Sequence, residues 1–255
     1  MIAEPSASRA LDRFSERGRP GRAMVLAAGI GKRMRPITVT TPKPLVEVGG
    51  RALIDHALDR LEQAGVESVV VNVHYLPDLI RVHLGHRRTP RISVSDERDR
   101  LLDTGGGIAK ALPDLGADPF YLLNSDSFWI EGPRPNLEWL AAGWRDDAMD
   151  ALLLIASTVR SIGYHGRGDF RMDPVGRLFR RPEREVAPFA YAGAAILHPR
   201  LFADCPAGSF SLNLLFDRAI ASGRLHGVRM DGRWIHVGTP EAVGEAELSI
   251  ADSSA

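Results

Sequence analysis

The stretch that decides the fold runs over residues 23–45 and reads AMVLAAGIGKRMRPITVTTPKPL. It opens with a short apolar run over 23–28, which is typical of a buried strand. The run ends at Gly29, so backbone amides of the loop that follows can approach an anion without a side chain between them. Arg33 and Lys43 then supply positive charge. These features together predict a site for the phosphate groups of a nucleotide.

Beyond this stretch, apolar strand patterns alternate with helical patterns. Apolar residues recur at helical spacing over 53–61, and the β-branched run Ser68–Val73 predicts a strand. The alternation continues with predicted helices over 77–84, 105–112 and 137–144 and predicted strands over 91–95, 120–124 and 151–157. This order predicts an α/β fold with a doubly wound, mainly parallel, Rossmann-like sheet. Ligands are expected at the carboxyl ends of its strands.

The pattern changes after Gly168. Short strand patterns over 169–172 and 177–180 flank residues 173–176, DPVG, which suit a type I turn between antiparallel strands. Another apolar strand is predicted over Phe189–Leu197. A small antiparallel subregion is therefore expected beside the main sheet.

The ends of the chain complete the domain organisation. Near the carboxyl terminus, Asp231 and Gly232 are predicted to join two more short strands, and Thr239 is predicted to cap a final helix. Residues 1–21 contain no continuous apolar run and are interpreted as a flexible amino-terminal extension. Residues 22–255 are interpreted as a single domain, because no linker or repeat divides them.

The composition restricts the classes of function. Lys plus Arg and Asp plus Glu both total 32, so no net charge favours nucleic acid or an anionic membrane, and neither is expected as a partner. The single cysteine, Cys205, excludes an intrachain disulfide, as is usual in a reducing compartment. With no secretory or membrane-spanning pattern, a cytoplasmic location is predicted. The oligomeric state stays open.

The glycine loop does not match the common nucleotide motifs. It lacks the third glycine of a dinucleotide fingerprint and the Gly-Lys-Ser/Thr ending of a Walker A loop. Residues 29–34, GIGKRM, followed by PKPL at 42–45, instead resemble the opening motif of the sugar-1-phosphate nucleotidyltransferases. The ordered motifs that carry this resemblance extend over about 23–244, most of the chain. An ordinary glycine loop with two exposed cations is the alternative.

The resemblance implies roles for the first loop. Arg33 would hold the leaving pyrophosphate, and Lys43 would lie near the α-phosphate and the sugar phosphate. The residues implied in nucleotide binding are Ala27, Ala28, Gly29, Gly31, Lys32, Thr104, Gly105 and Gly106. Backbone groups of Thr104, Gly105 and Gly106 would face the base. The alternative is that these three residues only begin a helix. The reaction needs no protein nucleophile, because catalysis consists of positioning anions and neutralising their charge.

The resemblance also implies a divalent metal. Asp126 matches an acidic residue that holds Mg²⁺ between the phosphates, and Mg²⁺ suits one or two carboxylates with phosphate oxygens and water. At the second metal position, an aspartate is replaced by His236. A neutral imidazole suits transition metals better, so Mn²⁺ is a second candidate. His236 could instead bind a metal-bound water or phosphate, or be a spacer in a non-catalytic protein.

The predicted sugar-phosphate residues lie further along the chain. Arg181 falls where relatives carry a lysine, and an arginine can hold a phosphate with two hydrogen bonds. Asn124, Tyr191 and Gly193 are the other residues assigned to this side of the site. For the run around Tyr191, a strand in the core is an equally simple interpretation.

The expected activity follows from the resemblance. The chain would convert a nucleoside triphosphate and a sugar 1-phosphate into a nucleoside diphosphate sugar and pyrophosphate. Residues 101–113, LLDTGGGIAKALP, and the compact length most resemble the N-acetylmuramate-1-phosphate uridylyltransferases of cell-wall recycling, which implies UTP. A mannose-1-phosphate guanylyltransferase or a glucose-1-phosphate nucleotidyltransferase is the alternative within the class. A nucleotide-sugar sensor without turnover is the alternative from another class.

Overall fold

The computed structural model describes residues 19–253. The amino-terminal half alternates strands and helices: β1 (Arg22–Leu26), the hairpin strands β2 (Glu47–Val48) and β3 (Arg51–Ala52), α1 (Leu53–Gln63), β4 (Ser68–Val73), α2 (Pro77–Gly85), β5 (Arg91–Asp96), α3 (Asp103–Leu115) and β6 (Phe120–Asn124). Strands β5, β4, β1 and β6 are adjacent in that order and parallel. The predicted parallel core is confirmed. The short β2–β3 hairpin was not predicted.

The carboxyl-terminal half extends the same sheet. Its elements are β7 (Ser127–Ile130), α4 (Asn136–Gly143), β8 (Ala151–Ser157), β9 (Phe170–Met172), β10 (Leu178–Arg180), β11 (Phe189–Leu197), α5 (Asn213–Ala221), β12 (Leu225–Arg229), β13 (Arg233–His236) and α6 (Pro240–Ser253). Strand β11 is antiparallel to β6 and β8, and β12 pairs parallel with β8. The predicted antiparallel hairpin is β9–β10, which joins β11 at Phe189.

Two strands near the site pair in a way that the sequence pattern did not predict. Asp231 and Gly232 do lie between two strands, β12 and β13, but these strands belong to different sheets. Strand β13 pairs antiparallel with β7, a strand that the pattern analysis missed because it begins only three residues after β6 ends. The backbone N–H of Val237 then donates to the Asp126 carbonyl at 3.0 Å. This ribbon places the end of β13 beside the end of β6.

The sheet is apolar on both faces, and for this reason helices cover both. Along β1, Ala23 and Val25 pack with α1, whereas Met24 packs with α3 and α5 on the opposite face, and all three are fully buried. Burial of a side chain such as Val or Met stabilises the fold by roughly 1.5–3 kcal/mol. The helical faces that complete the two layers contain Ile54, Leu58 and Leu61 in α1 and Ile108, Ala111 and Leu115 in α3.

The predicted amino-terminal extension over 1–21 lies outside the described residues as far as residue 18. Its last residue, Gly21, is attached to the domain, because its carbonyl accepts a hydrogen bond from the Glu67 N–H at 2.9 Å. In the described part of the chain, no helix is long and apolar enough to cross a membrane.

Candidate active site

A cavity of about 400 Å³ lies at the carboxyl ends of β1, β4 and β6. This is the edge at which ligands bind in parallel α/β sheets. The cavity is lined by residues of three segments: Gly29 of the first glycine loop, Thr104 of the second glycine turn and Asn124 at the end of β6. Lys43 and Asp126 supply charge of opposite sign. The fold therefore brings the separate sequence motifs to one place.

The first glycine loop is held from both sides. The Ala27 N–H donates to Asn72 Oδ1 at 2.8 Å, and the Ser125 hydroxyl donates to the Leu26 carbonyl at 2.7 Å. Gly31 has a φ of 67°, a left-handed conformation that favours glycine. A Cβ there would also lie 3.1 Å from Lys43 Cβ. The loop therefore packs closely against the base of the Lys43 side chain.

Lys43 and Asp126 form the charged centre of the cavity. Lys43 Nζ donates to Asp126 Oδ2 at 3.0 Å, and the two side chains are 11% and 31% exposed. Burial raises the pKa of Asp126, but the charge and hydrogen bond of Lys43, with the charge of Arg33, outweigh it and hold the pKa below its usual value. The carboxylate is therefore ionised at neutral pH and able to bind a cation.

His236 and Arg33 complete this cluster. His236 is the last residue of β13, and a Cβ on the adjacent Gly238 would lie 2.8 Å from His236 Nε2 and 3.7 Å from Arg33 Nη1. Burial, which outweighs the attraction of Asp126, lowers the pKa of His236. The imidazole is therefore neutral at pH 7. The structure thus brings together all four residues that the sequence interpretation assigned to catalysis and metal binding.

A buried hydrogen-bonded bridge, which sequence reasoning did not assign to the site, connects the two glycine segments. Asn72 Nδ2 donates to Glu97 Oε1 at 2.8 Å, and the Leu102 N–H donates to Glu97 Oε2 at 3.0 Å. Asn72 also accepts from the Ala27 N–H, so one chain of bonds spans both walls. Both side chains are 2% exposed. We call this pair, Asn72 and Glu97, the buried bridge.

The second glycine turn has a steric explanation. A Cβ on Gly105 would lie 2.3 Å from the Phe210 ring, and one on Gly106 would lie 2.1 Å from the Gly208 carbonyl oxygen. The N–H groups of both glycines donate to the Phe210 carbonyl, at 2.9 and 3.1 Å. Their absent side chains thus allow close contact with the 208–210 segment. Thr104, by contrast, lines the cavity as predicted.

The third glycine of this turn, Gly107, leaves room for the buried bridge. A Cβ on Gly107 would lie 2.7 Å from Glu97 Oε1 and 2.8 Å from Asn72 Nδ2. Any larger residue at this position would separate the two side chains. The contacts behind the turn therefore give all three glycines a steric reason, and the predicted role of the turn in binding the nucleobase stays a prediction.

Tyr191 and Gly193 lie on β11, next to the end of β6. Gly193 has a φ of 79°, and a Cβ there would lie 2.6 Å from Ser127 Oγ and 3.2 Å from Asn124 Cβ. The Tyr191 hydroxyl is buried and has no hydrogen-bond partner among residues 19–253. Burial, with the nearby charge of Asp126, raises the pKa of this hydroxyl. Tyr191 therefore has an unused polar group on the same side as Asp126.

Arg181 is engaged by its own loop. Its Nε donates to the Gly168 carbonyl at 2.9 Å, and its Nη1 donates to the carbonyls of Pro182, Glu183 and Glu185 at 3.1, 2.9 and 2.9 Å. Arg181 does not line the described cavity. Its sugar-phosphate role stays a prediction. Lys32 and Arg33 are both exposed at the rim, in the short 3₁₀ turn Lys32–Met34.

This arrangement defines a class of enzyme: a nucleotidyltransferase, with a glycine loop, fixed cations and one ionised carboxylate at the carboxyl ends of a parallel sheet. Residues 23–199 match the model of the MobA-like NTP transferase domain. The chain belongs to that family.

The chain is similar to curated relatives over nearly its whole length. It is 48% identical over 238 residues to the N-acetylmuramate alpha-1-phosphate uridylyltransferase of Caulobacter vibrioides, covering 92% of this chain and 98% of the relative. The protein of the same name from Neisseria meningitidis serogroup B is 34% identical, covering 89% and 96%. The mannose-1-phosphate guanyltransferase of Aspergillus fumigatus is 32% identical, but the match spans 61% of that relative and 86% of this chain.

Solved structures share the fold. A UDP-glucose pyrophosphorylase complexed with UDP-glucose superimposes with a TM-score of 0.73 at 17% identity, covering 91% of this chain and 98% of that one. HddC from Yersinia pseudotuberculosis, complexed with GMP-PN, gives a TM-score of 0.72 at 21% identity, covering 90% and 99%. These likenesses confirm the predicted nucleotidyltransferase fold.

Proposed function

We propose that this protein transfers a uridylyl group from UTP to N-acetylmuramate α-1-phosphate and releases pyrophosphate, as a step of cell-wall recycling in the cytoplasm. One observation carries the reaction class: Lys43, Asp126, Arg33 and His236 converge at the carboxyl end of the parallel sheet. The sugar and the base rest on the two relatives of that name, each matched over at least 96% of its length.

The reaction is a displacement at the α-phosphorus. A phosphate oxygen of the sugar 1-phosphate forms a bond to this phosphorus, and the bond to the bridging oxygen of the pyrophosphate breaks, so the leaving group carries away the electron pair. Lys43 stabilises the charge on the α-phosphate and the attacking phosphate, and Arg33 binds the leaving pyrophosphate. Backbone N–H groups around Gly29 and Gly31 bind the remaining phosphate oxygens.

The residues present fit a divalent cation that is held partly by substrate. Asp126 is ionised and half-buried, and one of its oxygens is bound to Lys43. No group of three or more His, Cys, Asp or Glu within residues 19–253 could hold a metal by itself. Mg²⁺ needs only one or two carboxylates when phosphates supply other ligands. We therefore assign Mg²⁺ to Asp126, where it would neutralise phosphate charge.

His236 bears on the choice of metal. Its neutral imidazole stands beside the ionised Asp126. Imidazole suits Mn²⁺ better than Mg²⁺, so we propose that His236 is a weaker second ligand and that Mn²⁺ also supports turnover. The presence of His236 in place of the expected aspartate also favours an alternative function, a nucleotide-sugar sensor that binds without turnover.

A substrate matrix tests the proposal. The purified chain is incubated with each of the four nucleoside triphosphates and with the 1-phosphates of N-acetylmuramate, N-acetylglucosamine, glucose and mannose. Pyrophosphate release is measured with Mg²⁺ and with Mn²⁺. We expect the highest kcat/KM for UTP with N-acetylmuramate 1-phosphate. A preference for GTP with mannose 1-phosphate would reject the substrate assignment, and nucleotide binding without pyrophosphate release would reject the catalytic one.

A further inference from the structure

A second cavity, of about 410 Å³, lies at the carboxyl ends of β8 and β12 and beside the start of α4. It shares none of its lining residues with the cavity of the active site. Three arginines, Arg134, Arg160 and Arg229, line it together with Trp139 and Trp234. We call it the arginine cavity.

The positive charge of the arginine cavity is not compensated by the protein. Arg134, Arg160 and Arg229 are exposed, and none forms an ion pair with any carboxylate within residues 19–253. The single carboxylate in the lining belongs to Asp231, whose Oδ1 accepts from the Gly232 N–H at 3.0 Å. Three arginines and one carboxylate therefore line the same cavity.

Several arginines elsewhere in the described chain are paired with carboxylates. Arg87 bonds to Asp59 and Glu62 at 2.8 and 2.7 Å, and Arg200 bonds to Asp146 and Asp150 at 2.7 and 2.9 Å. In a protein with equal numbers of acidic and basic residues, a cavity with three uncompensated arginines is a local excess. Such an excess attracts an anion from solution.

The aromatic residues of the cavity suit a ligand that also has a ring. The Trp139 side chain is 37% exposed, and the Arg134 guanidinium lies 4.7 Å from the centre of its ring. Stacking of this kind holds the guanidinium in place while its remaining N–H groups face outward. A planar guanidinium offers two parallel hydrogen bonds to a phosphate, and an indole offers a face to a base.

We propose that the arginine cavity is a second ligand site, which binds a nucleoside diphosphate or a related ring-bearing phosphate ester. Arg160 and Arg229 hold the phosphates, and Arg134 with Trp139 contacts the ring. The cavity volume, close to that of the active-site cavity, accommodates a ligand of this size. The two cavities share no lining residue, but they are neighbours, because the Trp234 ring lies 5.6 Å from the His236 ring.

The intrinsic fluorescence of Trp139 reports binding in the arginine cavity, whereas Trp234 also lies 5.6 Å from the His236 ring. Trp139 and Trp234 line the arginine cavity, whereas no tryptophan lines the active-site cavity. UDP is titrated into the intact chain at about 150 mM salt, and the sites are counted by equilibrium dialysis. We expect two UDP per chain and a change in fluorescence that Trp139→Phe reduces.

The arginines are tested by the double variant Arg160→Ala/Arg229→Ala. Each lost charged hydrogen bond weakens binding about tenfold, so the fluorescence-detected affinity for UDP should fall by about 100-fold. Arg88→Ala/Arg91→Ala is the matched control, because it removes two exposed charges elsewhere. Both double variants should unfold at the wild-type temperature, since all four side chains are exposed.

Several outcomes would overturn the proposal. A single UDP site per chain would do so, and so would wild-type affinity in Arg160→Ala/Arg229→Ala. An equal loss of UDP affinity in Arg88→Ala/Arg91→Ala would show that binding depends on the overall positive charge of the protein and not on the arginine cavity. If inorganic pyrophosphate binds as tightly as UDP, the assignment of Arg134 and Trp139 to a ring is wrong.

Discussion

The two halves of the active site are built differently. On the side predicted to bind the nucleotide, strand ends and the buried bridge hold the loops, and the Lys43–Asp126 ion pair lines the cavity. On the side predicted to bind the sugar, Arg181 donates its hydrogen bonds to four carbonyls of its own loop, while the Tyr191 hydroxyl has no partner in the described chain. The nucleotide side is therefore preorganised. If Arg181 binds the sugar phosphate as predicted, it has to exchange hydrogen bonds to loop carbonyls for bonds to the substrate.

The largest effect is expected at Asp126, where the nucleotide side carries its charge. Asp126→Asn removes the anionic ligand and should lower kcat on the order of 10³-fold. Pyrophosphate release gives the rate, and thermal unfolding shows whether the fold is intact. Asp114→Asn, on an exposed face of α3, is the matched control. A rate within a few fold of wild type would remove Asp126 from the metal site.

The buried bridge tests whether preorganisation itself matters. Glu97→Gln places a second donor opposite the Leu102 N–H or the Asn72 amide, which costs about 1–3 kcal/mol. We expect KM for the nucleotide to rise about tenfold, with little change in KM for the sugar 1-phosphate. Glu67→Gln, an exposed residue, serves as control. Equal changes in both KM values would show that the bridge supports the fold and not the nucleotide side.

His236 lies at the boundary between the two halves. His236→Asp adds a second carboxylate beside Asp126 and should raise Mg²⁺-supported activity several fold, because Mg²⁺ prefers oxygen ligands. The ratio of the rates with Mg²⁺ and Mn²⁺ is the measurement. A lower rate with both metals would mean that the site depends on the imidazole.

Arg181 tests the sugar side. Arg181→Ala removes the donor to four loop carbonyls and should lower Tm by a few degrees, at about 4 °C per kcal/mol or less for a chain of this size. If the guanidinium also binds the sugar phosphate, KM for the sugar 1-phosphate should rise about fivefold while KM for the nucleotide stays constant. A fall in Tm alone would limit Arg181 to its loop.

The smallest effect concerns a histidine of the carboxyl-terminal half outside the site. His226 is 4% exposed. Burial and the charges of Arg145 and Arg177 lower its pKa. They outweigh the hydrogen bond with the Arg224 backbone and the charge of Asp173, which raise it. The unfolded chain therefore binds a proton at higher pH than the folded one, so stability is full above the unfolded pKa of about 6.5 and falls as the pH drops below it. The Tm of the wild-type protein should fall between pH 7.5 and 5.5, and in His226→Gln this fall should be smaller by roughly 2 °C. An unchanged pH profile would contradict this.

The parallel core was predictable because its strands are apolar on both faces and its loops carry glycine and charge. Strands at Phe120–Asn124, Ala151–Ser157 and Phe189–Leu197 match the prediction residue for residue. The convergence of Arg33, Lys43, Asp126 and His236 was predictable through the family resemblance. Strand β7 was not, because its four residues directly follow a turn and alternate too briefly to show a period.

The buried bridge illustrates what a linear pattern omits. Asn72 lies on β4, and Glu97 directly follows β5, which pairs in register with β4. The parallel register makes these two residues neighbours although 25 positions separate them. A charged residue in a polar stretch is usually solvated, so only the three-dimensional pairing shows that Glu97 is buried. The same pairing gives Gly107 a steric reason, because a Cβ there would lie 2.7 Å from Glu97 Oε1.

The β7–β13 ribbon also bears on how the protein is made. It brings His236 beside Asp126 across 110 positions of the chain, and α6 follows only afterwards. During synthesis, the glycine loop and Asp126 emerge long before β13 leaves the ribosome, and contacts so distant in sequence form late. The nascent chain therefore has its glycine loop and Asp126 before His236 joins them. Prematurely terminated chains that end before β13 would lack both His236 and the β7–β13 pairing.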